Sequence, residues 1–489
     1  MTTFLIGLCI LLLGGILYGK LCVKVMKPDD RKTPAYTKSD GVDFVPMKTW
    51  KNSMINLLNI AGTGPILGPI QGILFGPIAF ILIPIGCVLG GAMHDYFSGM
   101  LSLRNGGAQM PDLIKKYTGK SVYRVYMCFV TLLMILVAAV FVYTPGDIAA
   151  TQVFGTSASV TEISTWVIYG VIFVYYIIAT FFPIDKIIGR VYPIFGFLLL
   201  FSAVGIFINL FFSGHRIDNL SAQNWMGIHP TARLLPMFFI TIACGIVSGF
   251  HSTQTAMISR SMTNERQGYG TFYNTMIFEG FIAMVWAAAA MGVMNSGLVD
   301  GASPPTIVCI IARDALGSVG GMLAIIGVIV LAVTSGDTAL RALRLMIADY
   351  FKLDQKPVTN RLKLVVPLAL VVMGLLVWAK VNPNGFNVLW RYFAWSNQTI
   401  ALFAFAIITI YLMGRGYRFA PLMSLLPGSW YTFITITFIA NAAIGFNLPL
   451  NVSYGIGVFL ALVYSLAVYR QGQKLRDRKD VLLEAVPVY

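Results

Sequence analysis

Residues 54–76 read MINLLNIAGTGPILGPIQGILFG. The run is apolar enough for a membrane, yet Gly62, Gly64, Pro65, Gly68 and Pro69 fall within eight residues. Proline lacks a backbone donor and clashes with the preceding turn. Glycine weakens a helix further. A helix is therefore expected to break between Gly62 and Pro69, leaving N–H and C=O groups free at membrane depth. Bare backbone is tolerated there only where it is buried in protein or lines a wet cavity. Broken helices of this kind hold solutes and ions in secondary transporters. A single glycine would read as a close helix contact; five Gly and Pro together favour the break.

The rest of the chain fits a membrane. Of 489 residues, 57% are hydrophobic and 11% are charged, where a soluble domain carries about 25% charged residues. The first apolar run has no basic leader and no small-residue cleavage site, so it is expected to stay as a helix. The net charge of +15 does not point to nucleic acid, because the basic residues sit in short loops between apolar runs. We count thirteen apolar segments of spanning length, near 4–26, 54–75, 77–104, 123–144, 161–182, 191–213, 234–258, 271–296, 320–348, 362–380, 390–413, 420–446 and 453–470. One set of alternate loops holds all the Lys and Arg except Arg216, Arg233, Arg313, Lys380 and Arg391. That set is cytoplasmic by the positive-inside rule, so the N-terminus is outside and the C-terminus inside. The loop at 296–320 carries Pro304 and Pro305 and has room for a short helix or lid.

A second interruption lies in LLPMFFITIACGIVSGFHSTQTAMISR, where Gly245 and Gly249 cut the apolar run. It comes five segments after the first, so the two run in opposite directions. The expected fold is an all-α polytopic membrane protein with two inverted five-helix halves, at 54–213 and 234–413. The first helix of each half is broken, as in the leucine-transporter-like architecture. Residues 1–53 and 414–489 add peripheral helices and cytoplasmic tails to what reads as a single transport domain over 1–489.

Ionisable groups at the bilayer centre cost about 2.5–3.5 kcal/mol each and need a partner, a wet cavity or a role. His94 and Asp95 lie about 15 Å deep at helical rise and can relay protons or simply pair. Glu279 is about 12 Å deep, and there it either exchanges a proton or bonds a neighbouring helix. Asp337 and Arg341 are spaced to pair on one face, with Thr334 and Ser335 adding oxygens. His94, Asp95, Glu279, Thr334, Ser335 and Asp337 are the candidates for ion coupling. Gly62, Thr63, Gly64, Gly245, Ser248, His251 and Asn397 are the candidates for holding solute, with a carboxylate on exposed N–H groups near Gly62, Gly64 and Gly245. His251 is expected on the cavity wall. Ser396, Asn397, Gln398 and Thr399 make a turn too polar for lipid. Cys9, Cys22, Cys87, Cys128 and Cys244 lie in apolar runs and read as buried thiols, and Cys309 falls in a loop. No cysteine pair has metal-ligand spacing, so neither a metal nor a cofactor is expected. No Walker sequence or nucleophile elbow appears, so the chain does not read as an enzyme.

RKTPAYTKSDGVDFVP, IAGTGPILGP, GGAMHDY, FITIACGIVSGFHS, SGDTALRALRLMIADYF and WSNQTIALFAF resemble the successive signatures of the carbon starvation protein A family. The resemblance implies uptake of peptides, or of pyruvate with protons, across the bacterial inner membrane, and the leucine-transporter-like fold. In proteins of that fold, hydroxyls at the level of Thr334 and Ser335 face the first broken helix and hold sodium. Where many members carry Gly-His-His-Phe, this chain has Met54, Ile55, Asn56 and Leu57. It also lacks the long insertion that larger members carry between the eighth and ninth segments. The expectation is a secondary active importer of short peptides during nutrient limitation, coupled to H+ or Na+. The alternative is a proton- or sodium-coupled symporter of pyruvate or amino acids. A channel or a non-transporting nutrient sensor is the reading from another class. The expected partners are a small-molecule solute and membrane lipid, with no nucleic acid.

Overall fold

The computed structural model describes residues 1–41, 44–179, 184–299, 301–353 and 357–476, without the side chains of 184–193, 349 and 358. Lys186, Arg190 and the basic tail beyond 476, which enter the charge bias, lie outside that description.

The described backbone is helical. The segments in order are α1 (Thr2–Met26), α2 (Thr49–Ile60), α3 (Gly64–Phe75), α4 (Ala79–Arg104) and α5 (Lys120–Val153). Then come α6 (Ile163–Ala179), α7 (Ile184–Asn209), α8 (Leu234–Thr241) and α9 (Gly249–Ser259). The chain continues with α10 (Glu265–Asn295), α11 (Pro304–Phe351), α12 (Val358–Val381), α13 (Gly385–Gly414), α14 (Leu422–Asn441) and α15 (Leu450–Arg476). Among the described residues, nine helices are long and apolar enough to cross a membrane, or ten with α2 and α3 as one bent span. The 48 residues of α11 are two helices joined at Gly317, whose φ of 69° ends the first. The short helix expected in the loop at 296–320 is that first piece. It carries Cys309, which is helical and buried rather than in a loop. Cys9 and Cys128 are exposed, not buried as expected, because their helix faces look outward from the bundle.

Both interruptions are present, and the first is shorter than expected. Only Ala61–Thr63 leave the helix, with a 47° bend between α2 and α3. Gly64, Gly68 and Pro69 are helical. The reason is positional: Pro65 sits in the first turn of α3, where its missing N–H costs nothing and its fixed φ favours helix. The second interruption spans Ile242–Ser248 and turns through Gly245, at φ +89°.

The breaks sit at the centre of the bundle. α3 lies between α10 and α11, while α9 packs on α4 and α13. The most hydrophobic window is 83% buried in α10 and α13 but 17% in α15, so α15 is peripheral. A Cβ built at Gly249 would land on the backbone of Asn397 and Ala401. That glycine is what lets α9 lie against α13.

Candidate functional site

Each interruption strands backbone groups, and the sequence supplies partners for one of them more fully than for the other. At the second break, α13 serves both ends. Gln398 donates to the Phe239 carbonyl, and Trp390 Nε1 donates to the Thr241 carbonyl at 3.2 Å, satisfying the C-terminus of α8. Asn397 Oδ1 accepts from the Phe250 N–H at 2.8 Å, so it caps the N-terminus of α9 from another helix. Its Nδ2 lies 3.0 Å from the Ser248 hydroxyl. The polar turn in α13 is thus a splint for the second break, which is why it tolerates a buried position.

The first break has no such splint. Among the described residues, the N–H groups of Gly62, Thr63 and Gly64 have no acceptor, and Thr63 Oγ1 is buried without a partner. α3 begins there, so the positive end of its dipole points at the same place. The two breaks abut: a Cβ at Gly64 would strike the side chain of Cys244. Between them lies a cavity of about 10 Å³, room for about one water, whose lining includes Asn59, Gly62, Gly64, Cys244, Ser335 and Asn397. Phe141, Phe250 and Phe393 close its other sides.

Gly62, Gly64 and Asn397 line that cavity. Four of the solute candidates, Thr63, Gly245, Ser248 and His251, do not. The Gly245 N–H is already committed to Glu279 Oε1 at 3.2 Å. His251 is fully buried behind the cavity, with Nδ1 2.9 Å from Asp95 Oδ2 and Nε2 3.5 Å from Glu279 Oε2. His94 Nδ1 is 2.8 Å from the other oxygen of Asp95. The structure thus joins His94, Asp95, His251 and Glu279 into one buried chain of ionisable groups, contributed by α4, α9 and α10. Such a chain can hold a cation or a proton out of contact with water.

The remaining candidates separate. Ser335 Oγ lies 3.0 Å from the Cβ position at Gly62 and is buried without a hydrogen bond. Thr334 bonds back to the Val330 and Leu331 carbonyls of its own helix. Asp337 stands 3.8 Å from Arg341, and the Arg341 guanidinium also donates to the Ala179 carbonyl.

Sequence reasoning missed Asn59 and the aromatic walls, which read as ordinary core residues. It also missed Asp147, whose carboxylate holds Lys380 Nζ at 2.7 Å and accepts from the Tyr169 hydroxyl. The signal was available: an acid in YTPGDIAA and a lone lysine at the same end of α12. Where α4 ends and α10 begins, Arg104 and Glu265 form a fully buried pair at 2.9 Å, joined by Arg31 and by the Tyr411 hydroxyl.

The family model for carbon starvation protein CstA matches residues 1–171, 142–317 and 305–438. The peptide transporter CstA of Escherichia coli is 24% identical over 570 residues, covering 90% of this chain and 81% of that protein. The pyruvate/proton symporter BtsT of the same organism is 25% identical over 358 residues, covering 61% of this chain and 49% of that protein. A solved manganese transporter of Eremococcus coleocola, bound to an aromatic bis-isothiourea compound, aligns with a TM-score of 0.59 at 14% identity. It covers 90% of this chain and 99% of its own. At that identity the likeness is one of fold, the leucine-transporter-like one.

Proposed function

Because the chain belongs to the carbon starvation protein CstA family, we propose that its secondary active transport serves a small carboxylate held at the first break. The observation that carries this is the row of N–H groups at Gly62, Thr63 and Gly64 with no acceptor among the described residues, beside a small cavity that Gly62 and Gly64 line. Successive amides in non-helical backbone form an anion-binding concavity. A hydrogen bond to a charged group is worth about 1.5–3 kcal/mol. The aromatic walls suit a short apolar remainder. The Escherichia coli relative named as a pyruvate/proton symporter supports the same class.

Coupling is to a proton or to sodium. For sodium, the buried Ser335 hydroxyl beside Gly62 supplies an oxygen at the break. The membrane is the bacterial inner membrane, with the N-terminus outside.

The test is uptake of labelled pyruvate, a neutral amino acid and a dipeptide into proteoliposomes, under separate proton and sodium gradients. Concentrative uptake of pyruvate or the amino acid, abolished when one gradient is collapsed, is expected. Uptake confined to the dipeptide would refute the substrate class. Flux at channel rates, without accumulation, would refute coupled transport.

A further inference from the structure

The second break holds a cluster that the carboxylate reading does not use. Cys244 Sγ, His251 Nε2 and a Glu279 oxygen lie within 4.8 Å of one another, and all three residues are buried. They come from the break itself, from α9 and from α10. We propose that these three side chains form a binding site for a divalent transition metal of the zinc class.

Three observations carry the assignment. The donor set is one thiol, one imidazole and one carboxylate, the soft-to-borderline mixture that selects zinc or cobalt over sodium, magnesium or calcium. Each donor is oriented from behind. His251 Nδ1 meets Asp95 at 2.9 Å, the carboxylate–histidine arrangement that fixes the tautomer with Nε2 free to ligate. Glu279 Oε1 accepts from the Gly245 N–H at 3.2 Å, leaving Oε2 inward. Cys244 Sγ accepts from Asn397 Nδ2 at 3.8 Å. Finally, His251 Nε2 and Glu279 Oε2 face each other at 3.5 Å, fully buried, and neither makes a hydrogen bond among the described residues. Two buried polar atoms that meet only as a long ion pair gain from a cation placed between them.

The dimensions are close to a site. Bond lengths of about 2.0–2.3 Å to zinc put tetrahedral ligand atoms roughly 3.3–3.7 Å apart. The His251–Glu279 separation of 3.5 Å is already in that range. The sulfur has to approach by about 1 Å at most, a rotamer-scale adjustment. Binding expels the thiol proton, so the ion's two charges are balanced by the thiolate and Glu279. Cys244 also lines the cavity, so the ion would border the solute's place without depending on which solute enters.

Ion binding tests this without any transport assay, so its failure leaves the substrate reading standing. The purified full-length protein, stripped by chelator, is dialysed against zinc and, separately, against cobalt. One zinc per chain is expected, and the cobalt form should show a thiolate-to-cobalt charge-transfer band. Cys244→Ser should remove that band, Cys9→Ser should not, and Asp95→Asn should weaken binding about 10–100-fold. Should Cys244→Ser fail to fold, the wild-type band and a similar weakening in Glu279→Gln decide. Absence of stoichiometric ion, a cobalt spectrum without the sulfur band, or a band that survives Cys244→Ser would overturn the inference.

Discussion

Gly62 and Asn397 show how single residues hold this site open. A Cβ at Gly62 would stand 3.0 Å from Ser335 Oγ and 3.3 Å from Phe141 Cζ, in the lining of the cavity. Gly62→Ala should therefore leave the protein monodisperse in detergent but cut solute uptake at least tenfold. Uptake at wild-type levels would mean the solute lies elsewhere. Asn397 carries the cap of α9 across a helix boundary. Losing an N-cap costs about 0.5–2 kcal/mol, so Asn397→Ala should lower the thermal midpoint as well as uptake. Both roles trace to polarity that stood out in the sequence, since WSNQT is implausible against lipid. What it was for did not stand out, because its partners are backbone groups about 150 residues away. The metal ligands were hidden for the same reason. Spacing rules detect ligands close in sequence, whereas Cys244 and Glu279 meet only because α10 folds back beside the break.

At the level of elements, the breaks were legible and their lengths were not. Glycine and proline content marks where a helix is weak, but Pro65 and Pro69 act by position. One is harmless in the first turn of α3, and the interruption shrinks to three residues. Buried pairs that rivet elements together were read less well, because neither partner signals the other. Asp147 and Lys380 tie α5 to α12 at 2.7 Å. Removing one partner of such a pair costs about 3–5 kcal/mol, whereas replacing both with apolar groups is often neutral. Asp147→Asn should then lower the thermal midpoint clearly, and Asp147→Leu combined with Lys380→Met should recover most of the loss. A double variant no better than the single would show that the pair is no rivet. After α1, Arg31 beside Asp29 holds that carboxyl well below the usual carboxylate range. A depressed carboxylate gives stability above its unfolded value that is lost only as pH falls through the folded one. The contact should therefore persist from pH 8 down to pH 5, and proteolysis of the 27–41 segment should not accelerate over that interval.

For the whole molecule, hydropathy and charge were enough to identify a multi-pass helical membrane protein, and the two interruptions with the family resemblance pointed to a transporter. The leucine-transporter-like fold follows from the two interruptions and is shared with the solved manganese transporter. Orientation rests on the lysine and arginine bias alone. Single cysteines placed at Ser213 and Arg415 should react with a membrane-impermeant maleimide from the outside and the inside of intact cells respectively. The reverse pattern would invert the topology. The centre of the account is that solute lies where the two breaks meet, and the native Cys244 reports on that place directly. The decisive measurement is the rate at which a small permeant thiol reagent modifies Cys244 in chelator-treated proteoliposomes, followed by mass spectrometry with and without saturating pyruvate or amino acid. The account predicts that the transported solute slows modification at least tenfold. Modification at an unchanged rate while uptake is saturated would contradict it.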